Sequence, residues 1–461
     1  MMVVPNTQKM MKRQDGIKQV LNRILYTAPL MILLLLLPAG QKSVRADDIT
    51  YLDISNPFIR KIPLAAPKFK LFTGSDAEKA DAEKARRILK KSLDFTGYVK
   101  IVHERSFMAN PAEEGITGKD IDFPDWTGIG AELLVTGGIE VDKDRVRLYL
   151  RLFDTIEKNL LAGKVYTGHR GDIRLMVHRF CSEISYALTG NWGIFRSKIA
   201  FVSKFEGNKE IHTCDFDGKN PVTITDHKSI TLSPSFSSDS EWLAYTSYAR
   251  GKPDLYIRNI REKRGSIVNK EGMNISPDWR PGRFELAAAM SFSGDQEIYL
   301  LTGKGKIIKK VTDSWGIDVS PSFSPDGKKI AFVSKRAGSP QIYIKSLETG
   351  KLRRLTFKGN YNTSPAWSPS GERIAYVGVE NGAINIFTIR VDGGYPVQLT
   401  KDAGDNEDPA WSPDGSMIAF TSSREHGIRR LYVMTAGGAE QRRLLKLKGS
   451  QMDPDWSMVK K

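Results

Sequence analysis

A small α/β domain followed by an all-β six-bladed propeller is the fold class this sequence predicts. Three observations lead there. One short motif recurs six times at near-constant spacing, all but the last recurrence are followed by further strand-like pieces, and the region before the array lacks the motif. The composition agrees with a folded chain. Of 461 residues, 40% are apolar and 26% charged, which excludes a disordered chain and a polytopic membrane protein. Two cysteines exclude a disulfide scaffold and a Cys-rich metal site. The net charge of +16 is basic, but seven of the bases against one acid fall in the first 46 residues, so it is weak support for nucleic-acid binding.

The N-terminus reads as an address. Residues 24–40 are ILYTAPLMILLLLLPAG, and five bases precede them. The densest apolar part, Met31 to Leu37, is too short for a bilayer-spanning helix but suits the h-region of a secretory signal. Val44-Arg45-Ala46 supplies small residues at the −3 and −1 positions of a cleavage site. Cleavage after Ala46 and export are therefore expected, with an uncleaved N-terminal anchor as the alternative.

Residues 47–190 should form the α/β domain. Ser75 and Glu78 read as a capping box opening a helix to about Leu93, which Gly97 ends. Leu133 to Glu140 and Val146 to Asp154 flank Asp142-Lys143-Asp144 as a hairpin, and Leu160 to Thr167 is a third strand. Ile173, Met176, Val177, Phe180, Ile184 and Leu188 recur at helical spacing and predict a second long helix over 172–188. A linker over 191–197 leads to a propeller over 198–461.

The six anchors are Ser233-Pro234-Ser235-Phe236, Ser276-Pro277-Asp278-Trp279, Ser320-Pro321-Ser322-Phe323, Ser364-Pro365-Ala366-Trp367, Asp408-Pro409-Ala410-Trp411 and Asp453-Pro454-Asp455-Trp456. In three units a Ser-Pro-Asp-Gly or Ser-Pro-Ser-Gly turn follows, then an apolar strand such as Ile330 to Val333. A third strand carries Tyr256, Tyr299, Tyr343, Phe387 or Tyr432 at matching offsets. Four strands in each period of about 44 residues make one propeller blade. The first strand pair, starting at Ile199, has no anchor before it, and the last anchor has almost nothing after it. The two ends should therefore pair and close the ring, leaving no exposed sheet edge.

The junction Leu188-Thr189-Gly190-Asn191-Trp192-Gly193-Ile194-Phe195-Arg196-Ser197-Lys198-Ile199-Ala200-Phe201-Val202 resembles the interdomain segment of the TolB family, periplasmic components of Tol–Pal systems. The Ser-Pro-x-Trp-Ser-Pro-Asp-Gly-x-x-Ile-Ala-Phe pattern resembles that family's propeller, and the order of parts matches over nearly all of 47–457. The resemblance implies a periplasmic adaptor that is not an enzyme. It implies that the propeller binds the peptidoglycan-associated lipoprotein Pal at the mouth of its channel. It implies further that the N-terminal segment meets TolA, and through it TolQ and TolR, in outer-membrane constriction and envelope integrity. In that segment Asp47, Ile49, Tyr51 and Asp53 lie on a polar–apolar alternation suited to strand addition.

Catalytic constellations are not found in the sequence. No Gly-x-Ser-x-Gly occurs, the six histidines show no metalloprotease spacing, and no Walker A motif is present. No cofactor and no metal site are expected. Gly303-Lys304-Gly305-Lys306 reads as a hairpin turn, and Cys181 and Cys214 as two buried free thiols. The residues leading into each anchor proline are the binding candidates. Three before the proline stand Thr231, Asn274, Asp318, Asn362 and Asn406, with Gln451 in the last unit. One before it stand Ser233, Ser276, Ser320, Ser364, Asp408 and Asp453, and Glu407 lies between the two rings. Together they predict a polar channel mouth that grips a protein loop. The plainer reading of Ser or Asp before Pro is a strand start that satisfies a loop amide. A glycan- or peptidoglycan-binding propeller, or a peptidase-related propeller without its hydrolase domain, are the alternatives.

Overall fold

The computed structural model describes residues 60–108, 110–205 and 207–459. The expected signal segment with Ala46, and Asp47, Ile49, Tyr51 and Asp53, lie outside the described residues. No described helix is long and apolar enough to cross a membrane.

The α/β part is one sheet under two long helices. Strands β1 (Ile62–Ala65), β2 (Lys70–Leu71) and β3 (Val99–Ile101) precede the long meander β4 (Leu133–Asp142), β5 (Arg145–Asp154) and β6 (Asn159–His169). The sheet order is β3-β1-β4-β5-β6, with β2 also pairing to β4. Helix α1 runs Asp76–Phe95, and α2 runs Ile173–Thr189 and ends at the left-handed Gly190. The amphipathic spacing dictates their faces. Ala85, Leu89 and Leu93 of α1 and Val177, Phe180 and Ile184 of α2 bury against Leu148, Leu150 and Leu152 of β5.

The capping of α1 differs in one respect from the expected box. The Ser75 side chain accepts the Glu78 amide, as predicted. The Glu78 carboxylate does not return to the Ser75 amide. It is buried and accepts the amides of Thr73 (2.9 Å), Gly74 (3.0 Å) and Val141 (3.2 Å). These bonds favour its charged form against the cost of burial, and its pKa is lowered. Glu78 thereby ties the start of α1 to the end of β4.

The propeller consists of six four-stranded antiparallel sheets. Blade 1 combines the C-terminal strand Ser450–Trp456 with β7 (Lys198–Phe205), β8 (Asn208–Asp215) and β9 (Val222–Thr223). The inner strands of blades 2 to 6 are Thr231–Phe236, Asn274–Trp279, Asp318–Phe323, Asn362–Trp367 and Asn406–Trp411. The corresponding outer strands are Gly265–Val268, Ile307–Lys310, Leu352–Arg354, Val397–Gln398 and Arg442–Arg443. The ring closes as the sequence predicts. Ser450 to Trp456 pair with Lys204 to Ile199, Trp456 Nε1 donates to Ser197 Oγ at 2.7 Å, and Lys198 and Ser457 exchange two further bonds.

The α/β part packs on blades 1 and 6, and the two share one apolar core. Phe216, just after β8, is its hub. It meets the rings of Phe95 (5.4 Å), His178 (5.2 Å) and Phe195 (5.6 Å) edge-on. Arg442 lies 4.2 Å over the Phe95 ring and also donates to the Phe95 carbonyl. Arg174 pairs with Asp217 at 2.8 Å across the same junction, and Lys61 with Glu440. Burial holds His178 neutral, with its pKa pushed down to about 4. Cys181 and Cys214 are both buried and free, their thiols pushed up by desolvation. All of these junction contacts meet turns at the end of the propeller opposite to the starts of the inner strands.

Phe216→Ala removes this hub. It should destabilise the chain by ~3–5 kcal/mol, read as a lower midpoint in urea unfolding. An unchanged midpoint would mean the junction does not rest on Phe216.

Candidate functional site

The site is built from a backbone irregularity repeated six times. In every inner strand the residue before the proline is left-handed: φ is 51° at Ser233, Ser276 and Ser320, 48° at Ser364, 53° at Asp408 and 57° at Asp453. A residue before proline is kept out of the right-handed helical region, and these six take the sparsely populated alternative. The strand pairing slips at the same place in all six blades, between Leu232 and Ser235 and at the five equivalent points. The result is a bulge that turns each Ser-Pro or Asp-Pro pair out of the sheet and into the channel.

Six bulges form a collar. On the side of the strand starts it encloses a chamber of about 350 Å³, lined by all six residues before the prolines together with Leu232, Glu407, Met452, Lys209 and Arg429. The chamber is lopsided. Serines occupy the part from blades 2 to 5, while Asp408, Asp453 and Glu407 gather at blades 6 and 1. Arg429 pairs with Glu407 at 2.8 Å. Thr421 links the two aspartates, donating from Oγ1 to Asp408 (3.0 Å) and accepting the Asp453 amide (3.0 Å). The Asp453 carboxylate also accepts the Ser233 amide. Burial and their mutual repulsion push the pKa of Asp408 above the usual carboxylate range, and burial pushes Asp453 up as well. Among the described residues no three of His, Cys, Asp and Glu converge as ligands for a metal ion.

The ring three residues before the proline is in a different place from that expected. Thr231, Asn274, Asp318, Asn362 and Asn406 do not line the chamber and are buried. Their side chains hold the loops that lead into the strands. Asn274 and Asn362 donate to the carbonyls of Lys270 (2.8 Å) and Lys358 (2.9 Å), Asn406 to that of Gly404 (2.9 Å), and Asp318 accepts from Arg336 at 2.6 Å. Thr231 donates to the Lys209 carbonyl. The reason is the bulge. It rotates the strand between the two positions, so one ring faces the channel and the other faces the loops.

Two features were not read from the sequence. The first is a set of exposed apolar side chains on the loops around the mouth. Phe205, Met273, Trp315, Phe357 and Tyr361 all project there, with Trp315 76% and Phe357 74% exposed. Loop residues outside the repeat carry no periodic signal, so only their position in the fold groups them. The second is another chamber on the far side of the collar, of about 450 Å³. Pro321, Pro365, Pro409 and Pro454 line both chambers and form the waist between them. The aromatic of every anchor (Phe236, Trp279, Phe323, Trp367, Trp411, Trp456) borders the second chamber and is largely buried, packed between blades. Asp278 and Asp455 stand among them. Each accepts a neighbouring blade's amide, from Phe323 and Phe236 respectively, both at 2.7 Å. Burial pushes Asp278 up to about 7 and Asp455 up to about 8.

Residues 186–460 match the family described as the TolB beta propeller domain, and residues 50–161 match the TolB amino-terminal domain. A Tol-Pal system protein TolB from Desulfosudis oleivorans is 51% identical over 265 residues, which are 58% of this chain and 60% of that protein. A protein TolB homolog from Chlorobium luteolum is 43% identical over 62% of this chain and 65% of its own length. The matched stretches thus span less than two thirds of these relatives. The crystal structure of TolB from Acinetobacter baumannii superimposes with a TM-score of 0.73 at 26% identity, over 87% of this chain and 97% of that one.

The buried carboxyls of the second chamber predict a pH dependence. An aspartate titrates near pH ~4 when unfolded, and Asp455 near 8 when folded. Its stabilising contribution is therefore full below the unfolded value and is lost as the pH rises through 8. Asn keeps an acceptor for the Phe236 amide without the charge. The thermal midpoint of Asp455→Asn should gain on that of the unsubstituted chain between about pH 4.5 and about pH 8.5. Parallel midpoints across that window would refute the assignment.

Proposed function

This chain belongs to the TolB family of Tol–Pal system propeller proteins, and we propose that it is a non-catalytic periplasmic adaptor whose channel mouth captures the lipoprotein Pal. The observation that carries this reading is the mouth itself: a polar collar of Ser233, Ser276, Ser320, Ser364, Asp408 and Asp453 set inside a surround of exposed aromatics. An apolar surround with a polar centre suits a protein loop. The aromatics supply contact area, and the collar supplies hydrogen bonds to a backbone inserted along the axis. The N-terminal segment around Asp47, Ile49, Tyr51 and Asp53, freed by cleavage after Ala46, adds as a strand to TolA. The adaptor thereby couples the outer-membrane lipoprotein to the TolA–TolQ–TolR side of the envelope during constriction.

A second reading has one observation in its favour. Trp315 and Tyr361 are exposed at the mouth, and aromatic faces of this kind also stack on sugar rings. Sedimentation with purified peptidoglycan sacculi, with and without the lipoprotein, separates direct glycan binding from binding through Pal.

The test is a cross-linked pull-down from the cell envelope with tagged residues 47–461 and with a Ser364→Arg, Asp408→Arg variant. Both substitutions place a long cation in the mouth chamber. The unsubstituted chain should recover a small outer-membrane lipoprotein, and the folded variant should lose at least about tenfold of it, as expected when a buried polar contact is blocked. Equal recovery by both would move the site off the mouth, and recovery by neither would reject the adaptor reading.

A further inference from the structure

The positive charge of the folded chain is concentrated on one part of its surface. Residues 60–461 carry 62 Lys and Arg against 49 Asp and Glu, and residues 301–359 alone carry 13 against 4. Nine of the thirteen net charges thus belong to the outer edge of blade 3 and to blade 4, their turns and loops included, on the opposite side of the ring from the α/β part. The Lys345 ammonium of blade 4 donates to the Val311 carbonyl that follows the outer strand of blade 3, at 2.7 Å, so the two walls are continuous.

Protection of sheet edges explains this poorly. Charge on an outer strand does discourage edge pairing. Yet the outer strands Val222–Thr223, Gly265–Val268 and Val397–Gln398 carry no charge, so edge protection here does not require it. The arginines of blade 6's outer strand are engaged, Arg442 at Phe95 and Arg443 with Glu425. Lys304, Lys306, Lys309 and Lys351, by contrast, are exposed and have no carboxylate within ion-pair distance among the described residues. Gathering like charges costs stability through self-repulsion, so an uneven concentration of this size points to a partner.

We propose that the outer wall of blades 3 and 4 docks on an anionic phospholipid surface. The choice of a membrane rests on the envelope location proposed above. Two observations favour lipid over a polyanion of fixed shape. First, the unengaged cations are lysines. They are point charges on flexible stems that suit a mobile layer of headgroup phosphates, whereas bidentate phosphate recognition uses arginine. The arginines here are already engaged, Arg353 with the Val391 carbonyl, Arg354 with the Thr356 carbonyl and Arg336 with Asp318. Second, exposed Ile308 and Leu352 stand among the lysines on the same strands. Apolar side chains beside lysines are the signature of a surface that enters the headgroup layer.

The experiment uses residues 51–461, one compact unit, and a Lys304→Gln, Lys306→Gln, Lys309→Gln, Lys351→Gln variant. Each is sedimented with vesicles of phosphatidylcholine alone, or with about a third phosphatidylglycerol, at low and high salt. The unsubstituted unit should partition at least about tenfold better onto the anionic vesicles at low salt, and the variant should lose roughly that factor. An unchanged thermal midpoint shows that the variant is folded. Equal binding to both vesicle types, no binding to either, or full retention by the variant overturns the proposal. Recovery of the lipoprotein is measured with the same variant. If vesicle binding fails while recovery persists, only this inference falls; if recovery fails while vesicle binding persists, only the mouth reading does.

Discussion

The propeller depends on one pairing, that of the C-terminal strand Ser450–Trp456 with β7. Every other blade is made of consecutive strands, each joined to the next by a short turn, and can form locally. Blade 1 needs residues some 250 positions apart, as the Trp456–Ser197 bond shows. Until this pairing forms, two sheet edges are open and the six inner strands do not surround an axis. Closure is also what places the α/β part. Trp456 and Ile199 of blade 1 share one apolar core with Phe95 and Phe180 of the two long helices. The same contact that completes the ring therefore fixes the junction.

Within the closed ring, proline does the local work. A left-handed residue followed by proline interrupts each inner strand, and the interruption is what opens the channel wall to side chains. Six non-glycine residues with positive φ at equivalent points are held against their local preference by the flanking strands. Strain held in this way, facing a cavity, is characteristic of sites that present groups to a partner. The collar also divides the channel into two chambers of different chemistry. The mouth side is hydroxyl- and carboxylate-rich and ringed by exposed aromatics. The far side is walled by buried aromatics around Asp278 and Asp455.

The exterior is as uneven as the channel. Blades 1 and 6 commit charged side chains to the junction: Arg442 lies over the Phe95 ring, and Asp217 pairs with Arg174 of the second long helix. The outer wall of blades 3 and 4 leaves Lys304, Lys306, Lys309 and Lys351 to solvent. A sixfold repeat therefore carries distinct surfaces at its mouth, at its junction and on the opposite wall. The repeat supplies the scaffold, and the loops and outer strands, which vary between blades, carry the differences.

Much of this was written along the chain. The period of the anchors, the turn chemistry and the complementary ends determined six blades and their closure, because each rests on local backbone preferences and on strand pairing that repeats. The helical spacing of Ile173 to Leu188 determined the second long helix for the same reason. Tertiary structure decided the rest. Whether Asn274 or Ser276 faces the channel turns on a bulge, and a bulge arises from a strand's fit to its neighbour, which the strand's own sequence does not state. The carboxylate of Glu78 reaches Val141 because a strand 63 residues on packs beside it. The grouping of Trp315, Phe357 and Phe205, like that of the lysines on one wall, exists only once the ring is closed. Side chains without periodicity acquire neighbours through the fold alone.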